Sequence, residues 1–160
     1  MIYLSIVMLG LIVLYFGYAW LLPKLGFNQS QLPGFKSASS IIIFAIFSAI
    51  IFYLSFVIPN PIVANRLLHS IGGGFAGILV CFLSVKDYGL QMNRLQFFIL
   101  SALTITALGV GNEIFECILQ NYLGYISAET INDTWLDLIS NTGGIILALA
   151  IFTPFIGKKK

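Results

Sequence analysis

The stretch from Ile62 to Val85 reads IVANRLLHSIGGGFAGILVCFLSV, and its only ionisable side chains besides a cysteine are one arginine and one histidine. An apolar helix of about 20 residues is long enough to cross the hydrocarbon of a bilayer. Arg66 and His69 are three residues apart, and residues at that spacing share one face of a helix. The stretch therefore predicts a membrane helix with a polar stripe near its first end.

Four other stretches have the same apolar character. The five predicted spans cover approximately residues 2–22, 39–58, 62–85, 95–120 and 135–156. Of the 160 residues, 59% are hydrophobic and 9% are charged, with a mean hydropathy of +0.98, whereas a soluble domain carries roughly 25% charged residues. These values predict one all-α membrane domain over residues 1–160, a bundle of five transmembrane helices in contact with the lipid bilayer.

Basic residues are distributed unequally between the two sides of this predicted bundle. One side holds seven of the 8 lysines and arginines: Lys24, Lys36, Lys86, Arg94, Lys158, Lys159 and Lys160. The other side holds Arg66 alone. The positive-inside rule assigns the basic side to the cytoplasm, so we expect a multi-pass plasma-membrane protein with its N-terminus outside and its C-terminus inside. The net charge of +2 comes without a basic stripe, and nucleic-acid binding is not expected.

Ionisable and amide side chains gather near the outer ends of spans three, four and five. Counting residues from the predicted helix ends, at 1.5 Å per residue, arranges them in two layers roughly one turn apart. The deeper layer holds His69, Glu113 and Asn141, and the shallower layer holds Arg66, Glu116 and Asp137, with Asp133 at the rim. Charged groups inside a membrane usually face a bundle interior or a cavity. The three polar stripes are therefore predicted to face one another in an outward-facing pocket.

The residue types in these layers suggest specific roles. The candidate catalytic residues, which are also the candidate ligands of a divalent metal, are His69, Glu113, Glu116 and Asp137, because carboxylates with an imidazole suit such an ion. The candidate substrate-binding residues are Arg66, Asn112, Asp133 and Asn141. We also expect Arg66 to pair with Glu116 or Asp137, and His69 to contact Glu113 or Asn141, because unpaired charge at this depth is costly.

Three functions are compatible with this pattern. The first is binding or hydrolysis of a phosphate-bearing lipid of the cell-wall carrier type at the outer leaflet, with or without a divalent metal. The second is proton- or cation-linked transport, and the third is a non-catalytic scaffold that docks a membrane protein partner. Asp137 could equally be a helix cap and Asn141 a hydrogen-bonding contact between helices.

Spans one and two carry few polar side chains. We expect them to form a lipid-facing scaffold, and Tyr15, Tyr18 and Trp20 to form an aromatic belt at the membrane interface.

Two motifs near the end of the chain resemble a known group. Asp137-Leu-Ile-Ser-Asn141-Thr-Gly-Gly144 fits a D-x-x-x-N-x-x-G pattern, and Gly111-Asn-Glu113-Ile-Phe-Glu116 lies on the preceding span. Together they are similar to the VanZ-like group of bacterial multi-pass membrane proteins. The resemblance implies a small protein of the bacterial inner membrane, from a group linked in some members to glycopeptide resistance and without a settled biochemical activity.

Overall fold

The computed structural model describes residues 2–30, 35–124 and 131–157. Five helices in these ranges are long and apolar enough to cross a membrane, as the sequence predicted. We name them helix 1 to helix 5, and their bounds are Ile2–Lys24, Phe35–Val57, Pro61–Asp87, Arg94–Leu123 and Ile131–Phe152. A short 3-10 turn, Thr153–Phe155, follows helix 5. No strand forms among the described residues, which agrees with the predicted all-α class.

The helix ends follow from local sequence. Asn60 caps helix 3: its side-chain oxygen accepts hydrogen bonds from the backbone amides of Ile62 and Val63 at 3.0 and 3.3 Å. Pro61 stands at the first helical position, where its missing N–H costs nothing. Asn93 and Gln96 form a capping box at the start of helix 4. Helix 4 ends at Gly124, whose φ of 68° favours glycine.

Helix 3 is not a regular α-helix throughout. It is α-helical over Pro61–Leu67, π-helical over Leu68–Phe75 and α-helical again over Ala76–Asp87. π-helical turns are rare and often mark functional sites. This segment contains His69 and the three glycines Gly72 to Gly74, so the widened backbone lies at the centre of the predicted site.

Helices 3 and 5 approach each other closely along this π-helical segment. A Cβ atom added to Gly144 would overlap the carbonyl oxygen of Ser70, and one added to Gly74 would overlap the carbonyl oxygen of Asn141. Small residues allow this kind of contact between membrane helices. The glycines thus set how closely Asn141 and Ser70 lie across the interface.

The bundle has two chemically different ends. At the basic end, which carries Lys86 and Arg94, Lys86 Nζ donates to Phe155 O at 2.6 Å, and Arg94 donates to the carbonyls of Pro154 and Ile156. The chain after helix 1 joins this end, since Gln29 and Leu90 form an antiparallel bridge. The acidic end, at the other side, carries Arg66, Asp133 and Glu116. Loops alternate between these ends as the sequence predicted; Lys158, Lys159 and Lys160 lie outside the described residues.

The aromatic belt predicted on helix 1 is wrong for two of its three members. Tyr15 and Tyr18 are buried at 0% and 4% exposure, and their hydroxyls bond Asp87 Oδ2 at 2.6 Å and Ser101 Oγ at 2.9 Å. Trp20 alone is exposed, with Lys24 Nζ over its ring. The two tyrosines face helices 3 and 4 because their hydroxyls find partners there, which apolarity along the chain does not reveal.

Candidate functional site

Arg66 is the centre of an ion-pair network that joins helices 3 and 5. Its two terminal nitrogens contact the carboxylates of Asp133 and Asp137, and one of them also donates to the Asp133 carbonyl at 3.3 Å. Asn65 Nδ2 donates to Asp137 Oδ1 at 3.1 Å. The predicted pairing of Arg66 with Asp137 is confirmed. Asp137 is buried, with its side chain 4% exposed, whereas the side chain of Asp133 is 23% exposed.

His69 lies one turn deeper, between two carboxylates from different helices. Its Nε2 is 3.3 Å from Asp137 Oδ1, and its Nδ1 is 3.9 Å from Glu113 Oε1. Asn141 Nδ2 is 3.4 Å from His69 Nδ1. The predicted contact of His69 with Glu113 or Asn141 is therefore confirmed, and all four side chains belong to buried residues.

The arrangement follows from the spacing of polar residues on each helix. Asp133, Asp137 and Asn141 are four residues apart, so they form one stripe along helix 5. Arg66 and His69 form the facing stripe on helix 3, and Glu113 joins it from helix 4. Each stripe turns toward the other helices, where its polar groups find partners, rather than toward the exposed apolar surface. The predicted convergence of three helices thus appears in the structure.

His69, Glu113 and Asp137 form a compact group of potential metal ligands. Each offers one ligand atom, and these atoms all lie within 4.8 Å of one another. Glu116, which was expected to act with Glu113, is not a member of this group. Its Oε1 accepts a hydrogen bond from Asn112 Nδ2 at 2.8 Å. The i, i+3 spacing puts the two glutamates on one face, yet only the deeper one reaches the histidine.

Two atoms of the network have no hydrogen-bond partner among the described residues. They are Glu113 Oε1 and Arg66 Nε, and both are inaccessible to solvent. Buried polar atoms nearly always have a partner. These two atoms therefore have unmet hydrogen-bonding capacity.

A cavity of about 250 Å³ opens beside the polar network. Helices 1 to 5 all contribute to its wall. Its polar lining comes from Ser48, His69, Asn112 and Asn141, and its apolar lining includes Leu11, Leu14, Ile51, Phe52, Ile105 and Leu108. Helices 1 and 2 are mostly exposed and apolar, as the predicted scaffold requires, and they also form part of this wall. Their inward faces pack on helix 3 through Tyr15, Leu22 and Phe44.

Three contributors to the site were not predicted. Asn65 holds Asp137, Ser48 lines the cavity, and Gly10 leaves open space on helix 1. Asn65 is next to Arg66 in an otherwise apolar stretch, and a polar residue in that position could have been identified from the sequence. Ser48 and Gly10 carry no comparable signal, because single small residues are common in membrane helices.

Ser70 and Ser140, the serines adjacent in sequence to His69 and Asn141, make backbone contacts. Ser70 Oγ donates to Arg66 O at 2.7 Å, and Ser140 Oγ donates to Leu136 O at 2.7 Å. Such bonds to the carbonyl four residues earlier are common for serine within helices. Acid–base or metal-assisted chemistry therefore fits these residues better than a serine nucleophile does.

No protein-family model, no curated protein and no solved structure matches this chain. The resemblance to the VanZ-like group rests on the two motifs of helices 4 and 5 and stays a hypothesis.

Proposed function

We propose that this protein lies in the bacterial plasma membrane, N-terminus outside, and that it binds a phosphate-bearing lipid from the outer leaflet and hydrolyses its phosphate ester. One observation carries the proposal: His69 and Asn141 belong both to the ion-pair network and to the wall of the apolar cavity. A cavity that is apolar along most of its wall and polar at one end suits an amphipathic ligand.

The cavity would receive the apolar part of this ligand. Its volume of about 250 Å³ is below the roughly 300–1,000 Å³ of sites that enclose a drug-sized molecule. It therefore suits a segment of one acyl or prenyl chain rather than a whole lipid. Leu11 and Leu14 of helix 1 and Ile51 and Phe52 of helix 2 supply the wall that this segment would contact.

The network would act on the phosphate. Arg66 Nε is a donor without a partner among the described residues, and an arginine is well suited to a phosphate oxygen. In the proposed reaction, the water oxygen attacks phosphorus while the water gives up a proton to the carboxylates of the acidic end. The bond between phosphorus and the lipid oxygen breaks, and that oxygen takes up a proton. The products are the lipid alcohol and inorganic phosphate.

The cavity can be tested with two matched glycine substitutions on helix 1. Gly10 lines the cavity, and neither Gly10 nor Gly17 has a neighbour within 4 Å of an added Cβ atom. Gly10→Leu should fill the cavity and weaken binding at least about tenfold, equivalent to roughly 1.4 kcal/mol. Gly17→Leu should bind as the unmodified protein does. Native mass spectrometry in detergent, with a prenyl phosphate and phosphatidic acid as probes, measures both.

Two further comparisons test the phosphate and its hydrolysis. The prenyl alcohol, which lacks the phosphate, should bind more weakly than the prenyl phosphate; equal binding would contradict recognition of the head group. His69→Ala and Glu113→Gln should each abolish phosphate release while the protein still inserts and stays monodisperse. Loss of the folded protein in both variants, with no hydrolysis by the unmodified protein, would instead favour the scaffold function.

Transport is the second candidate, and a feature of the basic end favours it. Side-chain hydrogen bonds also lie toward that end, where the Tyr15 hydroxyl donates to Asp87 and the Tyr18 hydroxyl bonds Ser101. Polar groups therefore lie on both sides of the cavity. A relay would give pH-dependent ion flux in proteoliposomes that Glu116→Gln removes, whereas the lipid site predicts no flux.

A further inference from the structure

Glu113 is a buried carboxylate that a cation would stabilise. The residue is 7% exposed, and its Oε1 has no hydrogen-bond partner among the described residues. The basic side chain that approaches it is His69, whose Nδ1 is 3.9 Å away. That distance is too long for a hydrogen bond. A buried carboxylate oxygen left in this state loses its interactions with water and gains nothing in return.

Glu113 and two neighbouring side chains are spaced as the ligands of one metal ion are. One atom each from His69, Glu113 and Asp137 lies within 4.8 Å of the others. Ligand atoms held about 2.1 Å from one ion are separated by roughly 3 to 4 Å. His69 Nε2 and Asp137 Oδ1 already have that separation, at 3.3 Å. A rotation of the Glu113 side chain, whose ligand atom lies within 4.8 Å of the other two, would bring the third ligand to the same range.

The net negative charge at the acidic end also favours a bound cation. Four carboxylates lie there among the described residues: Glu113, Glu116, Asp133 and Asp137. Arg66 supplies one positive charge and already contacts two of these carboxylates. With a neutral histidine and four ionised carboxylates, three negative charges are left without a compensating charge, and excess charge is costly at the buried Glu113 and Asp137. A divalent ion would leave one.

We propose that His69, Glu113 and Asp137 bind one divalent transition-metal ion, with Zn²⁺ and Mn²⁺ the closest fits to one imidazole and two carboxylates. Arg66 and Asn65 hold Asp137, and Asn141 contacts His69, so the ligands have the outer partners that orient metal sites. Three protein ligands leave a position open for water or a phosphate oxygen. The evidence for the ion does not depend on the lipid cavity, but a role of the ion in hydrolysis rests on the proposed function.

The test uses the full-length protein, stripped with a chelator and titrated with ZnCl₂ or MnCl₂ alone, without lipid. Isothermal titration calorimetry should give one ion per chain. Glu113→Gln keeps the side-chain size and should lower affinity at least tenfold. Asp87→Asn is the control, a change from carboxylate to amide at the basic end that keeps an oxygen for the Tyr15 hydroxyl and lies outside the three-residue group. It should keep the stoichiometry and bind within about threefold of the unmodified protein, because it lies well beyond a Debye length from the site.

A spectroscopic measurement needs only the unmodified protein, so its result does not depend on whether the variants fold. X-ray absorption of the zinc-loaded protein should show nitrogen and oxygen neighbours with the outer scattering of one imidazole. Absence of saturable binding at millimolar metal, or equal affinity in Glu113→Gln, would overturn the proposal. His69 would then be an imidazolium between two carboxylates. Lipid binding in the presence of chelator, with the Gly10→Leu comparison, tests the cavity independently.

Discussion

Gly144 of helix 5 lies so close to Ser70 of helix 3 that a Cβ atom at position 144 would overlap the Ser70 carbonyl oxygen. Gly74 makes the reciprocal approach to the Asn141 carbonyl. This backbone contact lies between the two stripes that form the site. It therefore fixes the register in which Asp137 meets Arg66 and Asn141 meets His69.

The first prediction concerns this contact. Gly144→Ala should destabilise the protein by at least about 1–3 kcal/mol, because overpacking forces the two backbones apart. Gly143→Ala is the matched control, since nothing lies within 4 Å of an added Cβ there. The control should be neutral or slightly stabilising, because alanine is the better helix former. Thermal unfolding in detergent measures both, and similar melting temperatures for the two variants would contradict the close contact.

The second prediction compares the two carboxylates that Arg66 contacts. Asp137→Asn should lower the free energy of unfolding by about 3 kcal/mol, because it breaks a buried pair. Asp133→Asn should cost about 1 kcal/mol or less, since its side chain is 23% exposed. Denaturation of each variant in the same micelle gives the comparison. A smaller loss at Asp137 would mean that relief of excess negative charge outweighs the lost ion pair.

The third prediction tests the buried tyrosine of helix 1. Tyr15→Phe removes the hydroxyl that donates to Asp87 Oδ2 at 2.6 Å and should destabilise the protein by roughly 1.5–3 kcal/mol, as for hydrogen bonds to charged groups. Tyr122→Phe is the control, because Tyr122 is 82% exposed. Its melting temperature should match that of the unmodified protein. Equal behaviour of the two variants would support the interfacial belt that the sequence suggested.

Much of the site could be predicted from sequence, for an energetic reason. Charges within an apolar helix must find partners, so polar stripes at matching depths had to face one another. This argument identified the pairing of Arg66 with Asp137 and the position of His69 near Glu113. It needed only the spacing of residues along each helix and the ends of the apolar stretches.

The remaining features depend on tertiary packing, which spacing does not encode. The π-helical segment Leu68–Phe75 widens helix 3 where three consecutive glycines meet helix 5, and no local pattern announces it. The sequence did not show which faces of helices 1 and 2 point inward, because both helices carry apolar residues on every side. Likewise, Glu116 shares a helix face with Glu113 but bonds Asn112, since it lies about one turn shallower than the glutamate that reaches His69.

The fourth prediction concerns orientation, on which the outward-facing site depends. Cysteines introduced by Ser30→Cys and Asn132→Cys lie at opposite ends of the bundle, because Ser30 bonds Gly89 at the basic end and Asn132 adjoins Asp133, which contacts Arg66. The exposed Cys117 is first replaced by serine, and the buried Cys81 is kept. The positive-inside rule places position 30 in the cytoplasm and position 132 outside. An impermeant maleimide applied to intact cells should therefore label position 132 alone, and both positions should react after the membrane is permeabilised. Labelling of position 30 alone in intact cells would turn the acidic end toward the cytoplasm, and the lipid would then have to come from the inner leaflet.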